Sequence, residues 1–241
     1  MADFLAVDEF DHTNVSCDGA AHPADVMVEI KDGSFGWSKD TPLLKNINIQ
    51  VKEGDLVVIH GLVGSGKSSL CSALLGEMDK LSGSVFVRGR VAYYSQQTWI
   101  QNMTIRENIL FGKAYDEKKY QQVLDACGLL PDLAQFPAEG SFVARAMLTK
   151  SRIVVMDEAT ASIDHATEKK LQHMINRDFK DATVLTIAHR LATVLDSDRI
   201  MVLSDGKVVE FDTPHNLVEN EGGVFYELAK EGGFLEKFQA K

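Results

Sequence analysis

The run "DLVVIHGLVGSGKSSLCSALL", Asp55 to Leu75, limits the possible folds more than any other stretch. It opens with a short continuous apolar strand, the kind that suits a buried parallel sheet. The turn Gly61–Ser69 fits G-x-x-x-x-G-K-[ST]. A helix is expected from Lys67, with Leu70, Leu74 and Leu75 on one face. Glycines let backbone N–H groups close around an anion, and the helix N-terminus adds partial positive charge. On this logic Gly61, Leu62, Val63, Gly64, Ser65, Gly66, Lys67, Ser68 and Ser69 form a cradle for the β- and γ-phosphates of a nucleotide. Lys67 would bridge the phosphate oxygens, and the Ser68 hydroxyl would complete a Mg²⁺ shell. The bland alternative is a glycine-rich turn that happens to precede a helix. The strand before it and the helix after it weigh against that.

Such a loop requires a second strand that ends in an acid. "IVVMDE" supplies one, with Asp157 to hold Mg²⁺ through water and Glu158 to polarise an attacking water. Asp157 could instead be a turn or cap acid, and Glu158 a solvated one. "VMVEI", "INIQV", "SVFVR" and "VAYYS" are short β-rich runs between turns. "ATVLTIAH" and "RIMVLS" are continuous apolar strands, and Asp205-Gly206 marks a tight hairpin. Asp116–Cys127 is an expected amphipathic helix with Tyr120, Val123, Leu124 and Cys127 inward. Thr167–Phe179 is another. Strands alternating with helices imply a parallel α/β core, and the β-rich first quarter an added antiparallel layer.

Residues 1–25 are acidic and aperiodic, and read as a linker or flexible tail. The domain proper is expected over 26–241. The chain carries a net charge of −10, which argues against general nucleic-acid binding. Cys17, Cys71 and Cys127 show no metal-ligand spacing and read as incidental thiols of a reducing compartment. The N-terminus has no basic cluster and does not read as a signal peptide. No segment reaches the roughly 20 apolar residues of a membrane span.

With these motifs in this order, the chain resembles the nucleotide-binding domain of an ATP-binding cassette (ABC) transporter, closest to the multidrug-resistance-associated subfamily C. The resemblance covers residues 26 to about 230. It implies an α/β P-loop NTPase (RecA-like) fold: a parallel-sheet core, an antiparallel β subdomain and an α-helical subdomain, here truncated, at about 97–146. It also implies ATP and Mg²⁺ as cofactors. The implied partners are transmembrane domains and a second nucleotide-binding domain, at the cytoplasmic face of a membrane. By the same resemblance, Trp37 in "SFGWSKD" matches the aromatic that stacks on adenine, the alternative being a core tryptophan. Gln96 matches the glutamine that senses Mg²⁺ and water, with Gln97 its easily confused neighbour. Asp164 in "ASID" matches an acid at the dimer seam. His189 in "LTIAHR" matches a histidine that contacts the γ-phosphate, unless it is a core histidine. Its place after an apolar strand puts it at the edge where α/β ligands bind.

One part of the family pattern is missing. The signature LSGGQ does not occur, although Ala144-Arg145-Ala146, which it normally precedes, is present. The signature should stand between Gly140 and Val143. "LSGSV", Leu81–Val85, is a decoy that reads as the turn into a strand. "QQTWIQNMTIRENILFG" resembles the first nucleotide-binding half of subfamily C transporters, and "VVMDEATASIDHATEKKLQ" the second. The chain therefore reads as a fusion of two halves with a junction near Glu139–Phe142. The competing expectations are a soluble nucleotide-binding regulator and an inactive remnant.

Overall fold

Two kinds of apolar pattern become two kinds of sheet. In the computed structural model, the residues described are 11, 13–95, 101–126, 151–157, 179, 182–187, 194–233 and 235–239. β1 (Val26–Gly36), β2 (Leu44–Lys52) and β4 (Asp79–Val87) form an antiparallel sheet in the order β2-β1-β4. On β2, Ile47, Ile49 and Val51 face inward and alternate with exposed residues, the period-2 signature of a one-sided sheet, and Leu44 is buried beyond an irregularity at Asn46, where φ is 49°.

The second sheet contains β3 (Leu56–His60), β5 (Val91–Tyr94), β6 (Ile153–Asp157), β7 (Thr183–Ile187), β8 (Arg199–Ser204) and β9 (Lys207–Asp212). Its order is β5-β6-β7-β3-β8-β9. The first five run parallel and β9 returns antiparallel to β8. Every position of β6 and β7 is buried, as expected of strands covered on both faces. The return is the hairpin at Asp205-Gly206, where φ is 49° and 73°. Two left-handed residues in succession are what a type I′ turn demands.

The helix after β3, α1 (Lys67–Leu75), differs from expectation. Lys67, Leu70, Cys71, Ser72, Ala73 and Leu74 are all buried, while Leu75 is only half-buried. The helix packs against both β4 and β6, so most of it is covered and only Ser68 is fully exposed. Leu70 and Leu74 are buried as the spacing predicts, and small residues on the other flank, Cys71, Ser72 and Ala73, are covered too. A second difference concerns "LSGSV". It lies within β4 as an irregularity, not as a turn into the strand. Its register slips opposite Lys31–Ser34, where Asp32 has φ 48°.

α2 (Ile105–Leu110) opens with a reciprocal cap, in which the Thr104 side chain accepts from Glu107 N–H and the Glu107 carboxylate accepts from Thr104 N–H. α3 (Glu117–Ala126) buries Tyr120, Val123 and Leu124 as its spacing predicts. Cys127, Ala144–Ala146, the Glu139–Phe142 junction and the expected helix 167–179, apart from the buried Phe179, lie outside the described residues. α4 (Pro214–Glu219), α5 (Val224–Glu231) and α6 (Leu235–Gln239) close the other side of the parallel sheet, where Phe225 and Leu217 pack with Val58, Ile200 and Val202. No described helix is long and apolar enough to cross a membrane.

Part of the acidic N-terminal stretch lies against the domain. The Ser16 N–H donates to Val85 O and its carbonyl accepts from Val87 N–H, both at 2.9 Å. Asn14 is buried, and its amide donates to Met78 O at 3.1 Å and Gly76 O at 3.4 Å, just beyond the end of α1. His22 stacks on Phe86 with ring centroids 3.8 Å apart. The His22 Nδ1 also lies 2.8 Å from Glu29 Oε2.

Glu29 is 4 % exposed and gathers three partners: His22, Lys31 Nζ at 2.9 Å and Gln50 Nε2 at 2.8 Å. Burial acts to raise its pKa. The hydrogen bonds from Lys31 and Gln50, the Lys31 charge and the His22 contact outweigh burial and leave the pKa below the ordinary 4.5. A depressed carboxylate stabilises the fold above its ordinary pKa, and that stability is lost as pH falls through the folded-state value. Urea midpoints should therefore fall between about pH 5 and pH 3 in the wild type. Glu29→Gln should flatten that slope and cost about 1–3 kcal/mol at neutral pH. A mutant curve parallel to the wild type would assign the acid sensitivity elsewhere.

Candidate nucleotide-binding site

The site grows from the C-terminal ends of the parallel strands. Ile187 of β7 pairs with Ile59 on one side and with Asp157 on the other. Asp157 and the end of β3 thus stand level, two strands apart, which is about 10 Å. β3 runs straight into the glycine loop and α1.

The loop is held by backbone contacts. Gly61 has φ +150°, and a Cβ there would meet Leu203 O at 2.3 Å. Gly66, at φ +102°, precedes α1 and packs on Leu44, whose Cδ2 would lie 2.9 Å from any Cβ at that position. Ser65 N–H donates to Leu62 O at 3.2 Å, and Leu70 N–H to Gly66 O at 2.9 Å. Leu62 and Val63 form an exposed crest, at 71 % and 96 %. Beneath it Lys67 is only 7 % exposed, and its Nζ donates to Gly61 O and Leu62 O, both at 3.0 Å. The ammonium therefore sits inside the loop's own curve.

Ser65 is also buried, and its Oγ has no hydrogen-bond partner among the described residues. A buried, unpaired hydroxyl inside a turn that opens a helix is costly unless a ligand satisfies it. Open space surrounds Gly64, the exposed glycine at φ +83°. A nucleotide's phosphates fit this set: N–H groups at a helix start, a buried ammonium, an orphaned hydroxyl and no carboxylate in the turn. Ser68, exposed in the first turn of α1, and Asp157, 4 % exposed at the end of β6, have the hard oxygens that Mg²⁺ prefers.

The field of Asp157 reaches its neighbours. The Cys71 thiol on α1 and the Tyr93 phenol on β5 are both pushed above their ordinary ranges, first by burial and next by the Asp157 charge. Cys71 is a free, fully buried thiol and Cys17 a free, exposed one.

Trp37 is 61 % exposed, which excludes the core-tryptophan alternative. It follows the end of β1. Phe35 pairs with Leu44, and Leu44 contacts Gly66, so that end of the antiparallel sheet lies beside the glycine loop. Gln96, Gln97, Glu158, Asp164 and His189 lie outside the described residues. Sequence reasoning missed the residues that frame the loop from behind, Leu44, Leu203 and Gly206. The Asp205-Gly206 pair was visible as a turn. What the turn touches depends on β8 lying next to β3, which no local pattern encodes.

Residues 44–161 match the family model described as "ABC transporter". Over 244 residues the chain is 37 % identical to ATP-binding cassette sub-family C member 3 of Rattus norvegicus, covering 92 % of this chain and 16 % of that protein. It is 35 % identical to ATP-binding cassette sub-family C member 2 of Mus musculus, covering 82 % of this chain and 14 % of the relative. It is 36 % identical to the vacuolar heme ABC transmembrane exporter abc3 of Schizosaccharomyces pombe, covering 88 % and 17 %. The chain thus spans about one sixth of the length of these relatives. The P-loop, the acid-ended strand of the same parallel sheet and the two-sheet architecture agree with these matches: the chain belongs to the ABC transporter family, as a nucleotide-binding domain of the subfamily C type.

Proposed function

We propose that this chain is the ATP-binding module of an ABC-type exporter, that it binds Mg-ATP by itself, and that it hydrolyses ATP only when a partner supplies the missing signature. The observation that carries this is the loop Gly61–Ser69: a buried ammonium and an orphaned buried hydroxyl at the start of a buried helix. In this reading the loop's N–H groups and Lys67 bind the β- and γ-phosphates, and Trp37 stacks on the adenine. Ser68 and Asp157 hold Mg²⁺, with Gln96 completing the sensing of metal and water. The ion would neutralise phosphate charge. Glu158 would take a proton from the attacking water, His189 would contact the γ-phosphate, and Asp164 would lie at the seam with a second domain.

The signature's serine and glycines would come from that second domain as further donors to the γ-phosphate. This chain cannot supply them to a copy of itself, since LSGGQ does not occur in it. The matched stretch of the rat relative supports a missing segment. It runs over 244 residues, more than the 241 of this chain, although only 92 % of the chain is covered. Part of that stretch therefore has no counterpart here. The same observation favours a second reading, a nucleotide-binding regulator without turnover. A partner with transmembrane domains would place the module at the cytoplasmic face of a membrane. Partition of the chain between membrane and soluble fractions, with and without that partner, separates the two readings.

Calorimetric titration with Mg-ATP should show saturable binding in the wild type and at least a tenfold loss, about 1.4 kcal/mol or more, in Lys67→Ala. Circular dichroism should show both proteins folded. Equal heats in both would remove the loop from the site. Steady-state hydrolysis by the chain alone should lie about 10²–10³ below that of an intact cassette, since even one lost donor to a charged transition state costs roughly 3–4 kcal/mol. Adding a signature-bearing domain should recover turnover. Full turnover without it would contradict the composite-site requirement.

A further inference from the structure

The tip of the β8–β9 hairpin reaches the phosphate loop from behind. The N–H of Gly206 donates to Ser65 O at 3.1 Å, and the Gly206 carbonyl accepts from Lys45 N–H on β2 at 2.8 Å. Gly206 is buried at φ +73°. A Cβ there would lie 1.9 Å from Leu43 O and 3.0 Å from Leu43 C, both backbone atoms, so no larger residue fits without moving the chain. A Cβ on Gly66 would come within 3.7 Å of Gly206 Cα. The hairpin tip is therefore wedged between the loop and β2, bonded to both through backbone hydrogen bonds.

In a planar trans peptide, the carbonyl of one residue and the N–H of the next point in opposite directions. Holding the Ser65 carbonyl on the hairpin turns the Gly66 N–H to the other side of the loop. An N–H at the start of a helix is a natural donor to a phosphate oxygen. We infer that Gly206 is a positioning residue for nucleotide binding: its N–H fixes the Ser65–Gly66 peptide so that the Gly66 N–H faces the phosphates. This rests on the reading of Gly61–Ser69 as the Mg-ATP site.

The test compares the wild type, Gly206→Ala and Gly89→Ala. Gly89 has φ +91° and nothing within 4 Å, so its substitution adds backbone strain without touching the loop. Mg-ATP affinity is measured well below the melting temperatures, together with the ³¹P resonance of the bound β-phosphate at saturation. The wild type and Gly89→Ala should bind alike. Gly206→Ala should bind about tenfold more weakly, as the misdirection of one donor to a charged group implies, and should displace the resonance. A purely structural role would lower the folded fraction and leave that resonance in place. Unchanged affinity and resonance in Gly206→Ala overturn the inference. If Gly206→Ala does not fold, Lys45→Pro decides. It deletes the N–H that holds the Gly206 carbonyl, on the outer strand of the order β2-β1-β4. Weakening of about threefold or more is then expected, and wild-type affinity overturns the proposal. No saturable binding in the wild type would instead mean that the Mg-ATP reading has failed, and this inference would fall with it.

Discussion

Helix α1 is clamped between two sheets, and the rest of the molecule is arranged around that fact. A helix of nine residues is too short to be stable in water by itself. This one is covered by the antiparallel sheet on one side and the parallel sheet on the other. Its first turn can therefore carry a buried lysine. Burial also makes the helix sensitive to what lies at its far end. There the Asn14 amide holds the carbonyls of Gly76 and Met78, tying the N-terminal stretch to the helix that bears Lys67. The glycine loop is thus backed by a hairpin, and its helix is held at the far end by Asn14.

Much of this was legible in the sequence because the strongest signals are local. The alternation on Ile47–Lys52 and the unbroken apolar run Ile153–Met156 state which strand is one-sided and which is enclosed. The Asp205-Gly206 turn and the Tyr120, Val123, Leu124 stripe are equally direct. The illegible parts are those decided by neighbours remote in sequence. Cys71 and Ser72 look like ordinary helix residues until a second sheet covers them. "LSGSV" looks like a turn, because glycine and serine usually make turns. Asp32 across the strand pair makes it an irregularity within a strand instead. Ser16 and His22 sit in an acidic, aperiodic stretch with no pattern to betray their docking. They dock because β4 offers an open edge to Ser16 and the Phe86 ring a flat face to His22.

The same distinction applies to the site. Gly61, Gly64, Gly66 and Lys67 were readable because a phosphate loop is a contiguous device. Asp157 was readable because it ends an unbroken apolar strand, which a phosphate loop requires. The burial of Ser65 and the backing by Gly206 were not, since both follow from the β3–β8 adjacency. Trp37 was ambiguous between core and surface until its exposure settled the matter.

The charge balance closes the argument about what this surface accepts. A net charge of −10 disfavours an extended polyanion such as a nucleic acid, whose charges span many ångströms. Mg-ATP is compact. Repulsion from distant surface carboxylates is screened within about 8 Å at physiological ionic strength. In the proposed site, the groups that would act on it lie closer than that: the Lys67 ammonium at 7 % exposure and the N-terminal dipole of the helix it opens, where screening is weaker. The acidic exterior and the anion-binding loop are therefore compatible. On the proposed reading, they would together favour a small, metal-neutralised phosphate over an extended one.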